Sequence, residues 1–151
     1  MNLSNLPNLQ VFALYAIIKC GTQPSVVLHD INIVLGAIPT SNKVTNLWFD
    51  VEIIGHLPFH GCLDQDWVGL FDEIIHISDR KLLELELQMI VSTGKFDIEH
   101  PGRDELFMHI MERAALLSDY PNICAHFWNP TFWDRGLGPF SRGEVRSRCR
   151  G

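Results

Sequence analysis

Apolar and polar positions alternate along much of this chain, and the period of the alternation is the first guide to its elements. Leu9 to Ile18 is an almost unbroken apolar run rich in Val, Ile, Phe and Tyr and closed by Cys20-Gly21, the mark of a well-buried strand. From Ser25 to Leu35 the residues Val27, His29, Ile31, Ile33 and Leu35 recur at every second position, with Asp30 and Asn32 between them. This reads as a second strand, stopped by Gly36 and Pro39. Leu47, Phe49, Val51 and Ile53 repeat the pattern around Asp50 and Glu52 and give a third.

Trp67 to Ile77 fits two periods. Trp67, Leu70, Phe71 and Ile74 make a helical stripe, whereas Phe71, Glu73, Ile75 and Ile77 make a strand edge. The reading adopted is a short helical turn leading into a strand, with Ser78 to Lys81 as a hairpin turn. Between Leu83 and Val91 strict alternation with Glu84, Glu86 and Gln88 outweighs the helix propensity of Leu and Glu, so this segment is a strand.

One segment carries full helical punctuation. Leu106, Phe107, Ile110, Met111, Ala114 and Leu117 form a stripe from Asp104 to Leu117. Pro101 and Gly102 precede it and Pro121 follows. Beyond Pro121 the rings of Phe127, Trp128, Phe132 and Trp133 crowd around Pro130, which suggests an irregular loop clamped on the body. The sum is an α+β fold, a predominantly antiparallel sheet of about five strands with one main C-terminal helix packed on one face. Residues 1–134 form a single globular domain, and 135–151, rich in Gly, Ser and Arg, a mobile tail.

Charge sharpens that division. Residues 1–134 hold seven Lys or Arg against seventeen Asp or Glu, a balance of −10, and residues 135–151 hold five Arg against one Glu, a balance of +4. An acidic body does not suit general nucleic-acid binding, which needs clustered bases. The four cysteines, Cys20, Cys62, Cys124 and Cys149, are scattered without a C-x-x-C pair. They do not read as a disulfide framework, and thiols in a cytoplasmic protein are expected. No Lys or Arg precedes the first apolar run, and Lys19 follows it, the reverse of a signal peptide. That run is also about half the ~20 residues a membrane helix requires.

Candidate chemistry is sparse. His56, His60 and Cys62 fall in one turn and could converge on a tetrahedral ion, with Cys124, His126 or Asp64 completing the shell, so zinc is the one cofactor worth testing. Glu105, His109 and Glu112 share a helix face, and Arg113 beside them makes that face an ordinary solvated one. His29 reads as a core histidine on an apolar face, since Asp30 next to it points the other way. Asp64, Asp66, Asp72 and Glu73 surround Trp67 in an acidic stretch suited to a basic protein partner. Arg142, Arg146, Arg148 and Arg150 in the tail offer weak contact with nucleic acid. Gly-x-Ser-x-Gly, P-loop and Gly-x-Gly-x-x-Gly patterns are absent.

No catalytic residue is assigned, and a non-catalytic protein-interaction module is expected. By charge and size it matches acidic inhibitors and immunity-type proteins, which bind basic partners. Asp64, Asp66, Trp67, Asp72, Glu73, Trp128 and Trp133 are its expected contacts. The alternative is a zinc-binding regulatory module or metal-dependent hydrolase, or a viral or mobile-element accessory protein touching RNA through the tail.

Overall fold

Three α-helices alternate with four strands in a computed structural model that describes residues 8–20, 26–55, 65–92 and 101–128. Strand β1 (Val11–Cys20) leads to helix α1 (Val27–Gly36), β2 (Asn46–Gly55) to α2 (Trp67–Ser78), and β3 (Leu83–Ser92) to α3 (Pro101–Ala114). A 3-10 turn (Ala115–Asp119) then precedes β4 (Ile123–Trp128). The strands lie side by side in the order β1-β2-β3-β4, and every neighbouring pair is parallel. The architecture is therefore α/β, not the α+β arrangement with an antiparallel sheet expected from the pattern.

The error traces to two segments. Of residues 25–35, expected as a strand, 27–35 belong to α1, whose buried residues Leu28, Ile31 and Leu35 follow a three- and four-residue spacing. The β-branched residues of this stretch satisfied both periods, and His29 lies exposed on the helix rather than in the core. Residues 67–77 are helical throughout, burying Trp67, Leu70, Phe71, Ile74 and Ile77, so no strand begins there. With a helix between each pair of strands, parallel pairing follows, because a crossover returns the chain to the same end of the sheet. The proposed hairpin turn at 78–81 is instead a helix-to-strand connection, with Asp79 at φ 37° and Arg80 at φ 66°. The aromatic stretch expected as a loop begins with an ordered strand, β4, whose residues alternate between buried and half-buried.

The inward residues of β2 and β3 are buried without exception, from Leu47 and Ile53 to Leu83 and Val91. They meet Leu28, Leu70, Ile74, Leu106 and Ile110 from the helices. Helix α1 packs on α2, and α2 on α3, so the helices form one layer. This is what a sequential strand order produces when every crossover has the same hand, since each then lands on the same face.

Polar side chains clamp the end of the sheet where the strands begin. Asn42 donates to the carbonyls of Pro39 at 2.7 Å and Ile77 at 3.2 Å. Its own Oδ1 accepts from Lys81 Nζ at 2.8 Å and from the Val44 amide at 2.9 Å. Asn122 donates to the Lys81 carbonyl at 2.7 Å and the Ser78 hydroxyl at 3.3 Å, joining a third connection to the other two. This end is occupied with holding loops together.

Candidate functional site

One sheet face carries the helices; among the described residues no helix packs on the other. Register fixes what that open face presents. Tyr15 of β1, Asp50 of β2, Gln88 of β3 and Trp128 of β4 are aligned in one row across the sheet. One pleat back, Ala13, Trp48, Glu86 and His126 form a second. At about 4.8 Å between strands, either row spans roughly 14 Å, with roughly 6.6 Å from row to row. Flanking rows add Glu84, Glu52 and Lys19, so among the described residues the face holds four carboxylates and one ammonium group.

The two central rows enclose a groove of about 710 Å³, bordered by the rings of Tyr15, Trp48 and Trp128 with Asp50 and Glu86 between them. Trp48 is 49% exposed and Tyr15 59%, unusual for large aromatics in a parallel sheet, whose faces are ordinarily both covered. The Tyr15 hydroxyl donates to Glu52 Oε2 at 2.7 Å. That bond holds the phenol protonated and raises its pKa above the ordinary 10.0, with a little desolvation and the nearby charges of Glu52 and Asp50 adding in the same direction. Asn46 likewise donates to Glu84 Oε2 at 2.8 Å.

Asp50 differs. Its Oδ1 is buried and has no hydrogen-bond partner. A buried acceptor left without a donor costs roughly 1–3 kcal/mol, more if charged, so the groove contains a position that an incoming N–H group would satisfy. Carboxylates beside ring faces recognise guanidinium and ammonium groups through charge-assisted hydrogen bonds and cation–π contact. A nucleophile with an adjacent base is not assembled among these residues.

Residues selected from sequence fall in different places. Asp66 caps α2, its side chain accepting from the Gly69 amide at 2.8 Å. Trp67 is 1% exposed, a core residue and not a contact surface. Asp72 and Glu73 lie on α2 in the helix layer, exposed and half-buried respectively. Trp128 is on the open face, as are His126 and Cys124. Cys124 is disulfide-bonded, whereas the sequence reading expected thiols. Among the described residues no three His, Cys, Asp or Glu side chains gather into a metal site. Asp64, Trp133, His56, His60, Cys62 and the tail residues Arg142, Arg146, Arg148 and Arg150 lie outside the described residues.

Glu105 and Glu112 are exposed on α3, where Arg113 pairs with Glu112 at 3.4 Å. Sequence reasoning missed Tyr15, Trp48, Asp50, Glu52, Glu84 and Glu86 as a group, because it treated the outward residues of each strand as separate solvated positions. An exposed Trp and Tyr on strands otherwise alternating with acids was the available signal.

No family model, curated protein or solved structure matches this chain. No helix among the described residues is long and apolar enough to cross a membrane.

Proposed function

We propose that this protein is a non-catalytic interaction module whose open sheet face receives a cationic segment of a protein partner, in the manner of an acidic inhibitor or immunity-type protein. The observation that carries the reading is the buried, unpartnered Asp50 Oδ1 in a groove edged by Tyr15, Trp48 and Trp128. Four carboxylates against one ammonium attract a basic chain, repel nucleic acid and disfavour a second copy of the same face. Aromatic anchors supply affinity once the charges have steered the encounter.

The proposed contacts are thus the open face rather than the acidic stretch around Trp67. A cytoplasmic setting belongs to the same proposal. Titration of the full chain, reduced and oxidised, with an octa-arginine peptide and with its octa-glutamate counterpart tests the reading. Binding of the arginine peptide alone, weakening as salt rises, is the expected result. Equal binding of both peptides, or none of either in both redox states, would overturn it.

A further inference from the structure

The four carboxylates of the open face are not equivalent. Glu52 accepts from the Tyr15 hydroxyl at 2.7 Å and Glu84 from the Asn46 side-chain amide at 2.8 Å, so each already has a donor. Asp50 Oδ1 has none, and among the described residues no donor bonds the Glu86 carboxylate. Those two are also the acids that line the groove.

Register places them at opposite corners of a four-residue patch. Trp48 is aligned with Glu86 and Asp50 with Gln88, so the two acids lie diagonally across β2 and β3, their Cα atoms about 8 Å apart. Trp48 and Gln88 fill the other corners, and Tyr15 and Trp128 close the row on either side of Asp50 and Gln88. The ammonium group of the face does not reach them, because Lys19 is four positions beyond Tyr15 on β1, roughly 13 Å along the strand. Their negative charge has no counterion within the described face.

The kind of cation follows from how the acceptors are spread. An ammonium group gathers three donors on one strongly hydrated nitrogen, which suits a single carboxylate in solvent. A guanidinium distributes five N–H donors around a flat, weakly hydrated plane, so it can bond one carboxylate with two parallel N–H groups, turn other donors to a second, and lay its face on an indole. Asp50, Glu86 and Trp48 supply those three elements side by side. We propose that the groove is an arginine pocket, in which a guanidinium of the partner protein is held by Asp50 and Glu86 against the ring of Trp48, with the Gln88 side chain as a further acceptor. Glu52 and Glu84, whose carboxylates are engaged, act through longer-range attraction. At about 710 Å³ the groove also has room for the residues beside that arginine, which favours a side chain of a protein over a free small cation.

This assignment rests on the cationic-partner reading above and narrows it to one side chain. Calorimetric titration of the full chain compares octa-arginine, octa-lysine and an octa-arginine dimethylated on its guanidinium groups, three peptides of equal charge. Octa-arginine should bind at least about tenfold tighter than octa-lysine, the difference expected for one charge-assisted hydrogen bond. Dimethylation keeps the charge but blocks paired N–H bonding, so it should bring the affinity down to the lysine level. Asp50→Asn and Glu86→Gln should each move the arginine-to-lysine ratio toward one, whereas Glu84→Gln should weaken both peptides together and preserve the ratio. Equal affinity for arginine and lysine would overturn the pocket and leave the cationic partner standing. A preference for arginine that survives both Asp50→Asn and Glu86→Gln would also overturn it, since the selectivity would then arise elsewhere. If no cationic peptide binds, the partner reading itself fails and the pocket falls with it.

Discussion

Two tryptophans separated by nineteen positions have opposite duties, and a single substitution at each distinguishes them. Trp67 is 1% exposed, so Trp67→Ala is expected to cost roughly 3–5 kcal/mol in chemical denaturation. Trp48→Ala, at a position 49% exposed, should change stability by less than about 1 kcal/mol while weakening capture of a cationic peptide. The Tyr15 phenol provides a spectroscopic reporter of the same face. Its pKa is raised chiefly by the bond to Glu52, so the linked stability is whole below pH 10.0 and is lost as the pH rises through the higher folded value. Absorbance titration near the phenolate band should show Glu52→Gln bringing the midpoint back toward 10.0. A midpoint unmoved by that change would mean that the bond does not govern the phenol.

At the scale of the element, helix α2 illustrates a local compromise. Gly69 leaves room for the Asp66 carboxylate that caps the helix, and a Cβ at Gly69 would collide with that carboxylate. Gly69→Ala gains about 1 kcal/mol of helix propensity and loses a cap of similar worth, so alone it should be nearly neutral. In an Asp66→Ala background the same change should stabilise by about 1 kcal/mol, and a double-mutant cycle in urea reads that coupling. The left-handed connection after α2 makes a second case: Arg80→Gly, relieving a φ of 66°, should raise stability by up to about 1 kcal/mol.

These elements also show how much of the fold was legible. Leu83 to Val91 was identified as a strand because Glu84, Glu86 and Gln88 break its apolar run at every second position. The α3 stripe, Leu106 to Leu117, was read correctly as helical, although its last turn is a 3-10 turn. Helix α1 was misread because Val27, Ile31 and Leu35 satisfy the strand period as well as the helical one, and no N-cap side chain marks its start. That misreading, with the strand read into the second half of α2, removed two crossovers and with them the parallel topology. The open face then could not be assembled, since Tyr15, Asp50, Gln88 and Trp128 share a row only when all four strands run the same way.

For the whole molecule, a sequential strand order commits the described helices to one layer and leaves the other side of the sheet open among the described residues. The charge division noticed in the chain acquires a geometric meaning: the body's carboxylates on β2 and β3 line the face, and the arginines are gathered in the segment that follows β4. Salt should loosen a basic partner bound there. The most direct measurement is nuclear magnetic resonance of the reduced, isotope-labelled chain titrated with octa-arginine. The expected result is that amide and indole shifts concentrate at Tyr15, Trp48, Asp50, Gln88 and Trp128 while α1, α2 and α3 stay still. Shifts concentrated instead at Asp72 and Glu73 on α2 would contradict the account, because the cation would then be held by the helix layer and not by the open sheet.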